Sequence, residues 1–222
     1  MRNTRQARFR APSLPAVTLP ALTPIELEDL RAEKHQESAS LSGLDVSDWD
    51  LTGATFTECE LVSVTADGTR FVGARFVDTV ITQLVAPRFA APRSTWRNSE
   101  IVSSRLGAVT AYEAEIAHTL IEGSKLGWVN LRASKLTDVM FRGCRFDELD
   151  LSGSTLTRVA FEDCTATKLV LDQARSTHLD LRGLQFAEVQ GIDGLRGARV
   201  SESQGWDLLG VLARHAGIEI TA

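Results

Sequence analysis

The sequence predicts an all-β fold in which the chain winds as a square coil. From Leu41 to Phe186 every fifth residue is apolar, and Ser176 is the only polar residue among these thirty positions. A second column, two places earlier, consists mainly of small residues, and neither column contains a charged residue although 24% of the chain is charged. Glycine recurs two places after the large residue, as at Gly53 and Gly73, where a corner favours unusual backbone dihedrals.

A repeat of five residues fits neither a helix, with its period of about 3.6, nor a plain strand, with its period of about 2. The chain must therefore turn at a fixed interval. A turn of about ninety degrees every five residues closes a coil of about twenty residues whose large side chains point to a common axis. Stacked at about 4.8 Å per coil, the repeats predict a rod of about seven and a half coils and about 36 Å.

Several units of the repeat have nearly the same sequence, such as Leu51-Thr52-Gly53-Ala54 and Leu151-Ser152-Gly153-Ser154. In these units the chain resembles the pentapeptide-repeat proteins, whose consensus is Ala, Asp or Asn, Leu and two free positions. The resemblance covers about two thirds of the chain, and thirty units keep one frame without an insertion. It implies a right-handed quadrilateral β-helix, usually in a cytoplasmic protein that is not an enzyme. The Asp or Asn position is the departure, since Thr, Arg, Glu or Lys often occupies it here.

We expect four regions along the chain. A flexible tail rich in arginine and proline occupies residues 1–22, an N-terminal cap residues 23–38, the β-helix residues 39–200, and a C-terminal helix and tail residues 201–222. A solvated terminus is the simpler interpretation of the tail, and contact with nucleic acid or an acidic partner is the alternative.

Both flanks of the repeat carry helix signals. Thr23 as an N-cap, Pro24 at the first helical position and Glu26 three residues after the cap predict a short helix that ends near Lys34. The frame of the repeat slips by one residue near Leu195, and Ser201 then predicts the start of a helix that caps the open end of the coil.

Composition restricts the function and the compartment. The net charge of −5 does not favour a general nucleic-acid binder, which would carry a basic excess. The three cysteines, Cys59, Cys144 and Cys164, all fall in the small inward column, and no signal-peptide pattern precedes them. We therefore expect buried free thiols and a cytoplasmic protein. No stretch of the sequence approaches the roughly 20 apolar residues of a membrane span.

Charge is distributed unevenly along the repeat. Residues 41–69 hold six acids and no base, whereas residues 70–105 hold six arginines against two acids. Either adjacent coils pair these charges, or the arginines form a patch for an acidic partner. The candidate residues are Arg70, Arg75, Arg88, Arg93, Arg97 and Arg105.

One wall of the coil has unusually apolar outward positions. Branched residues suit strands, so they need no special role, but the alternative is burial beneath the N-terminal segment or against a partner. The candidate residues are Val62, Val80, Val102, Leu120 and Met140. Pro87 and Pro92 lie one unit apart and predict a slight bulge in the wall, or else an extruded binding loop.

The sequence contains no recognisable set of catalytic residues. His118 and His178 share a phase of the repeat but lie three coils, about 14 Å, apart, which is too far for one metal ion. No CxxC, P-loop or GxSxG motif is present. We expect no cofactor, no metal and no enzymatic activity.

Two hypotheses for the function follow. The first is a rigid interaction module with a protein partner of unknown identity. The second is implied by the resemblance, because some members of that family mimic DNA, bind a type II topoisomerase such as gyrase and protect it from quinolone-type inhibitors. The C-terminal helix also predicts a homodimer, with candidate contacts Trp206, Leu208, Leu209, Val211 and Leu212.

Overall fold

The computed structural model describes residues 9–219 and shows a β-solenoid that is closed by one α-helix. Its strands pair in parallel, each residue with the one twenty positions later, from His35↔Thr55 to Val170↔Gln190. The predicted coil of twenty residues is therefore confirmed. The strands are β1 (Thr23–Pro24), β2 (His35–Glu37), β3 (Ala39–Ser42), β4 (Thr55–Thr57), β5 (Glu60–Val62), β6 (Arg75–Val77), β7 (Val80–Thr82), β8 (Val85–Ala90), β9 (Thr95–Arg97), β10 (Glu100–Val102), β11 (Arg105–Thr110), β12 (Glu115–Glu122), β13 (Lys125–Asn130), β14 (Lys135–Arg142), β15 (Arg145–Asp150), β16 (Thr155–Glu162), β17 (Cys164–Val170), β18 (Arg175–Asp180) and β19 (Leu184–Gln190).

Most corners of the coil are formed by residues in the left-handed region of φ, all at the phase predicted for corners. Gly53 has φ 68°, and non-glycine residues such as His118 and Asp138 take φ values of 53° and 56°. The exception is one wall, where β8, β11, β13, β15, β17 and β19 form a separate six-stranded sheet. On that wall, which we call the flattened wall, the backbone has no left-handed residue at the position that would otherwise form a corner.

Pro87 lies in β8, which is the first strand of this six-stranded sheet. Isolated bridges, Thr65↔Val85 and Arg70↔Ala90, join this strand to the preceding coil, so Pro87 lies where that ladder is interrupted and no donor is needed. Pro92 follows in the next turn, and β8 continues in register with β11. The two prolines therefore mark the start of the flattened wall, and the alternative of an extruded loop is wrong.

The core is built from side chains that stack on their equivalents in the next coil. The rings of Phe56, Phe76 and Trp96 lie parallel with centroids 5.2 and 4.0 Å apart, and Phe141 stacks on Phe161 at 5.0 Å. Such stacked rings add to the stability gained by burying their apolar area. The inward direction predicted for the large column is confirmed.

The predicted N-terminal helix from Thr23 to Lys34 is wrong. Thr23 and Pro24 form β1, which pairs with β3, and Thr23 donates its backbone N–H to the carbonyl of Ser38. The only helical turn in this region is a 3-10 turn over Leu27–Asp29, whose capping box joins Glu26 to Asp29. The backbone groups that a helix would use are paired in the ladder instead. Leu30 is buried over the first coil.

The segment from Phe9 to Leu22 is not a free tail, so the expectation for residues 1–22 is wrong over this part. We call residues 9–22 the N-terminal strap. It has no regular secondary structure but contacts the solenoid at two places. Ser13 bonds to the corner residues His118 and Asp138, and the ring of Phe9 packs edge-on against His178. Residues 1–8, which include Arg2, Arg5 and Arg8 of the predicted tail, lie outside the described residues.

The C-terminal helix α1 (Glu202–His215) begins at the predicted N-cap Ser201. The slip of one residue before it is also confirmed, because Asp180 pairs with Arg199, nineteen positions later. The buried side chain of Gln204 closes the solenoid. Its Oε1 accepts from the Ser201 N–H at 2.7 Å, and its Nε2 donates to the carbonyls of Leu181 and Leu184 at 2.8 and 2.7 Å.

An enclosed apolar cavity of about 70 Å³ lies on the axis near Ala111. The same column holds Ala91 one coil earlier, but there the neighbouring Phe89 is buried and fills the space. The equivalent of Phe89 beside Ala111 is the smaller Val109. A large neighbour therefore offsets the small axial residue at Ala91 but not at Ala111.

We expect Ala111→Leu to fill this cavity and to raise the free energy of unfolding by about 1 to 2 kcal/mol, at about 24 cal/mol per Å³ of void. Urea unfolding followed by circular dichroism measures the change. The matched control is Ala91→Leu, which should lower the same free energy by about 1 to 3 kcal/mol because its site is already full. Equal effects of the two substitutions would contradict this account of the core.

We expect Gln204→Glu to lower the free energy of unfolding by about 3 kcal/mol. The carboxylate would leave the carbonyls of Leu181 and Leu184 without donors and would set a buried charge against them. Gln185→Glu, the same chemical change at an exposed position of the last coil, should stay within about 0.5 kcal/mol of the wild type. A Gln204→Glu variant as stable as the wild type would show that the helix does not close the solenoid through this side chain.

Candidate interaction surfaces

The six arginines of the predicted band do not form one patch. Arg88 binds Asp67 at 2.9 Å and Asp48 at 3.3 Å, and Arg70 lies 3.7 Å from Asp50. These pairs join one coil to an earlier one, as the simpler interpretation predicts. Within residues 9–219, no acidic side chain lies within 4 Å of the other members, Arg75, Arg93, Arg97 and Arg105.

The outward apolar residues also fail to form one stripe. Val80, Leu120 and Met140 belong to one ladder column, in which Glu100 separates Val80 from Leu120. Val62 and Val102 belong to another column, with Thr82 between them. All five side chains are half-buried. Leu120 and Met140 lie two residues beyond the corners that hold the strap, which favours the expectation of cover by the N-terminal segment.

Arg105 continues into a column of like charges that the sequence reading missed. It pairs in register with Lys125, which pairs with Arg145. We call these three residues the basic ladder. All three side chains are exposed, and within the described part of the chain none has an ion-pair partner within 4 Å. Reading every twentieth residue for charge would have found them.

Trp128 stands beside the basic ladder with 65% of its surface exposed, unlike the buried Trp96. It lies in the flattened wall between Ala108 and Glu148. With Gly107 and Gly127 it lines an open depression of about 480 Å³. On the other side of the ladder, serine and glycine residues line a second open depression of about 570 Å³.

The strap is held at its middle by a charged corner. Asp138 is 2% exposed, accepts from the Ser13 N–H at 2.9 Å and accepts twice from Arg158 at 2.6 Å. His118 contacts the Ser13 carbonyl at 2.9 Å. The hydrogen bond from Arg158, and after it the Ser13 N–H, hold the pKa of Asp138 below its usual value against the opposing effect of burial.

The first turns of α1 bury one face and expose another, and the buried face is not the one predicted. Leu208 is 4% exposed and, with the half-buried Val211, lines the depression between the helix and Phe186 and Val189 of the last coil. Both are candidate dimer contacts; the burial of Leu208 leaves it no exposed surface for that role, whereas Val211 is only half-buried and stays a prediction. The polar Gln204 selects this face because it must reach the end of the coil. Four apolar residues remain exposed and form what we call the end patch: Trp206, Leu209, Leu212 and Ile218.

The three thiols are free and buried. Burial raises the pKa of Cys59, and the contact with Cys164 together with burial raises the pKa of Cys144. Across residues 9–219 there is no group of three His, Cys, Asp or Glu side chains arranged to hold a metal ion. In the same residues, no helix combines the length and apolar character that crossing a membrane requires.

Comparison with known proteins identifies the repeat. The family model for pentapeptide repeats matches in eight copies over residues 38–83 and 124–163. A search of curated proteins finds no match.

Solved structures give distant similarity. A trypsin-treated form of QnrB1, described as a plasmid-mediated fluoroquinolone resistance protein, is 16% identical, with a TM-score of 0.35, over 90% of this chain and 96% of its own. HetL from the cyanobacterium Nostoc sp., described as a pentapeptide repeat protein involved in heterocyst differentiation regulation, is 14% identical, with a TM-score of 0.28, over 77% and 91%.

We expect Asp138→Asn to lower the free energy of unfolding by about 2 kcal/mol at neutral pH, because Arg158 loses its carboxylate partner. The folded pKa of Asp138 lies below the unfolded one, so this stabilisation is complete above about pH 4 and is lost as the pH falls through the folded value. The difference between wild type and variant should therefore shrink steadily on acidification.

Urea titrations at several pH values measure this difference. Asp163→Asn is the control, since Asp163 is an exposed corner residue with φ 51°. Its stability should follow that of the wild type at every pH. A difference between Asp138→Asn and wild type that stays constant as the pH is lowered from about 4 would contradict the role given to the carboxylate.

Proposed function

Because the chain is a pentapeptide-repeat protein, we propose that it acts as a rigid, non-enzymatic protein–protein interaction module. The observation that carries this proposal is the end patch. Large apolar side chains left exposed together on a small monomer mark interaction sites, because burial against a partner removes their area from water. Trp206 is 69% exposed and Leu209 50% exposed, on a helix whose other face is packed on the rod.

The interior of the rod supports a function without catalysis. The enclosed cavity of about 70 Å³ is apolar and far smaller than the few hundred Å³ of a usual ligand pocket. The perturbed carboxylates at Asp138, Asp150 and Asp180 each bind an arginine, which is a structural role. The three free, buried thiols support a reducing compartment, and we place the protein in the cytoplasm.

We further propose that the partner at the end patch is a second copy of this chain. The patch lies at the end of the rod, so two rods can meet helix to helix without any clash between their walls. A twofold contact of this kind repeats the same surface on both subunits and closes on itself. Leu208 takes no part, because it is buried, and Val211 faces the depression between the helix and the last coil.

The DNA-mimic alternative has less support from the charges. A mimic needs acids that remain free along its length, whereas Asp48, Asp50 and Asp67 pair with arginines. The basic ladder would repel a DNA-binding surface. In a gyrase supercoiling assay, added protein should change neither supercoiling nor its inhibition by a quinolone; inhibition or protection that weakens with salt would favour the alternative.

We expect light scattering to give twice the 24.2 kDa mass of one chain at tens of micromolar protein. Leu209→Glu combined with Leu212→Glu should return the protein to one chain without loss of the β signal, since both side chains are exposed. Gln185→Glu adds a carboxylate at an exposed position of the last coil outside the patch and should leave the dimer intact. A wild-type mass of one chain under these conditions would contradict the dimer.

A further inference from the structure

The basic ladder is an exception among the charged columns of the wall. Within the other paired strands, charges that follow each other in register alternate in sign, as in Lys135 on Glu115 at 2.9 Å and Lys168 on Glu148 at 3.7 Å. Outside the strands, Glu58 and Asp78 follow one another at a corner. Like charges directly opposite each other in a sheet are destabilising. Arg105, Lys125 and Arg145 follow one another in register at about 4.8 Å per coil. The repulsion among these three charges therefore destabilises the fold, and no structural role accounts for keeping them.

The surface beside the ladder is shaped as a groove. A Cβ at Gly107 would collide with the carbonyl oxygen of Pro87, and a Cβ at Gly127 with that of Gly107. Glycine at both positions leaves a floor without side chains between the ladder and Trp128. Val85, which is 41% exposed, adds apolar surface at one end.

We propose that this groove binds an acidic amphipathic α-helix of a partner protein, lying along the rod. The inference rests on the proposed function as an interaction module and assigns the chemistry of one partner. Its acidic side chains contact the basic ladder, and an apolar side chain of the same helix packs on Trp128 over the glycine floor. The charge of the surface supports this choice. Arg105 and Lys125 line the groove, Arg145 lines the adjoining depression, and Asp147 is the only acid among the lining residues of the two.

The spacing of the ladder favours a helix over other anionic ligands. Its three charges lie at about 0, 4.8 and 9.6 Å along the rod. Acidic residues at positions i, i+3 and i+7 of an α-helix lie at about 0, 4.5 and 10.5 Å along the helix axis. Alternate residues of an extended strand lie at about 0, 6.6 and 13.2 Å, so the spacing of their charges would not match the spacing of the ladder.

Nucleic acid fits less well. Successive phosphates of one strand rise by about 3.4 Å, so they would not match the ladder, and three cations make a short site for a polyanion. The chain as a whole carries a net charge of −5, which opposes the approach of a long anionic polymer.

Three fluorescein-labelled probes test the proposal by fluorescence anisotropy at low salt with the full chain. The first is a helical peptide with Glu at i, i+3 and i+7 and Leu at i+4. The second has the same composition with Glu at every second residue, and the third is a twelve-nucleotide oligodeoxythymidylate. We expect the helical peptide to bind at least about tenfold more tightly than either of the others.

Substitutions then locate the site. Arg105→Glu and Lys125→Glu should each weaken binding of the helical peptide by at least about tenfold, and Trp128→Ala by at least about fivefold. Arg75→Glu is the matched control, because Arg75 opens strand β6 ten residues out of phase, on the opposite wall, and is equally exposed. It should change binding by less than about twofold. Circular dichroism and thermal melting confirm that each variant is folded.

Equal binding of the two peptides, or an equal loss in Arg75→Glu, would overturn the proposal by showing unspecific attraction. Tighter binding of the oligonucleotide at the same residues would replace it with a nucleic-acid site. Absence of binding by the wild type would also overturn it. These results do not depend on the end patch. The light-scattering mass of the wild type and of the Leu209 and Leu212 variant therefore tests the proposed function separately.

Discussion

The parallel ladder of backbone hydrogen bonds, in which each residue pairs with the one twenty positions on, is the constraint from which the other features follow. It holds from His35 to Gln190 and satisfies nearly every backbone group of the wall through the adjacent coils. The same register places equivalent residues directly above one another. Each stack must therefore be filled by side chains that fit their own kind, as in the stack from Phe56 to Trp96.

The register also creates the main problem of the fold, which is that a coil has two ends. The last coil leaves carbonyl groups without a next strand, and exposed ladder edges invite pairing with other chains. At the C-terminal end Gln204 donates to two of these carbonyls. At the N-terminal end Gln36 is buried and donates to the carbonyl of Asp29, while Leu30 covers the core. A glutamine serves at both ends because its amide offers two donors and an acceptor together.

Sequence reasoning reached the repeat because period, phase and inward direction are local properties of the chain. It failed where distant contacts decide. The helix signal at Thr23 was overruled by pairing with β3, and the strap depends on Ser13 meeting Asp138, which lies 125 residues away. The buried face of α1 was misjudged because Leu208 was counted among the exposed dimer contacts. The polar Gln204 fixed the orientation instead, since an unsatisfied coil end costs more than an exposed apolar side chain.

The charges of the wall show why a solenoid must be read by column as well as along its axis. Counted along the axis, Arg70 to Arg105 form a basic band; counted by column, Arg70 and Arg88 are neutralised by acids of earlier coils. The same twenty-residue step brings Arg105, Lys125 and Arg145 together, although no short window of sequence contains them. Because the ladder register cannot shift without turning the core outward, this spacing is rigid. A surface whose charges are fixed in space loses little conformational freedom on binding, which is what a recognition site requires.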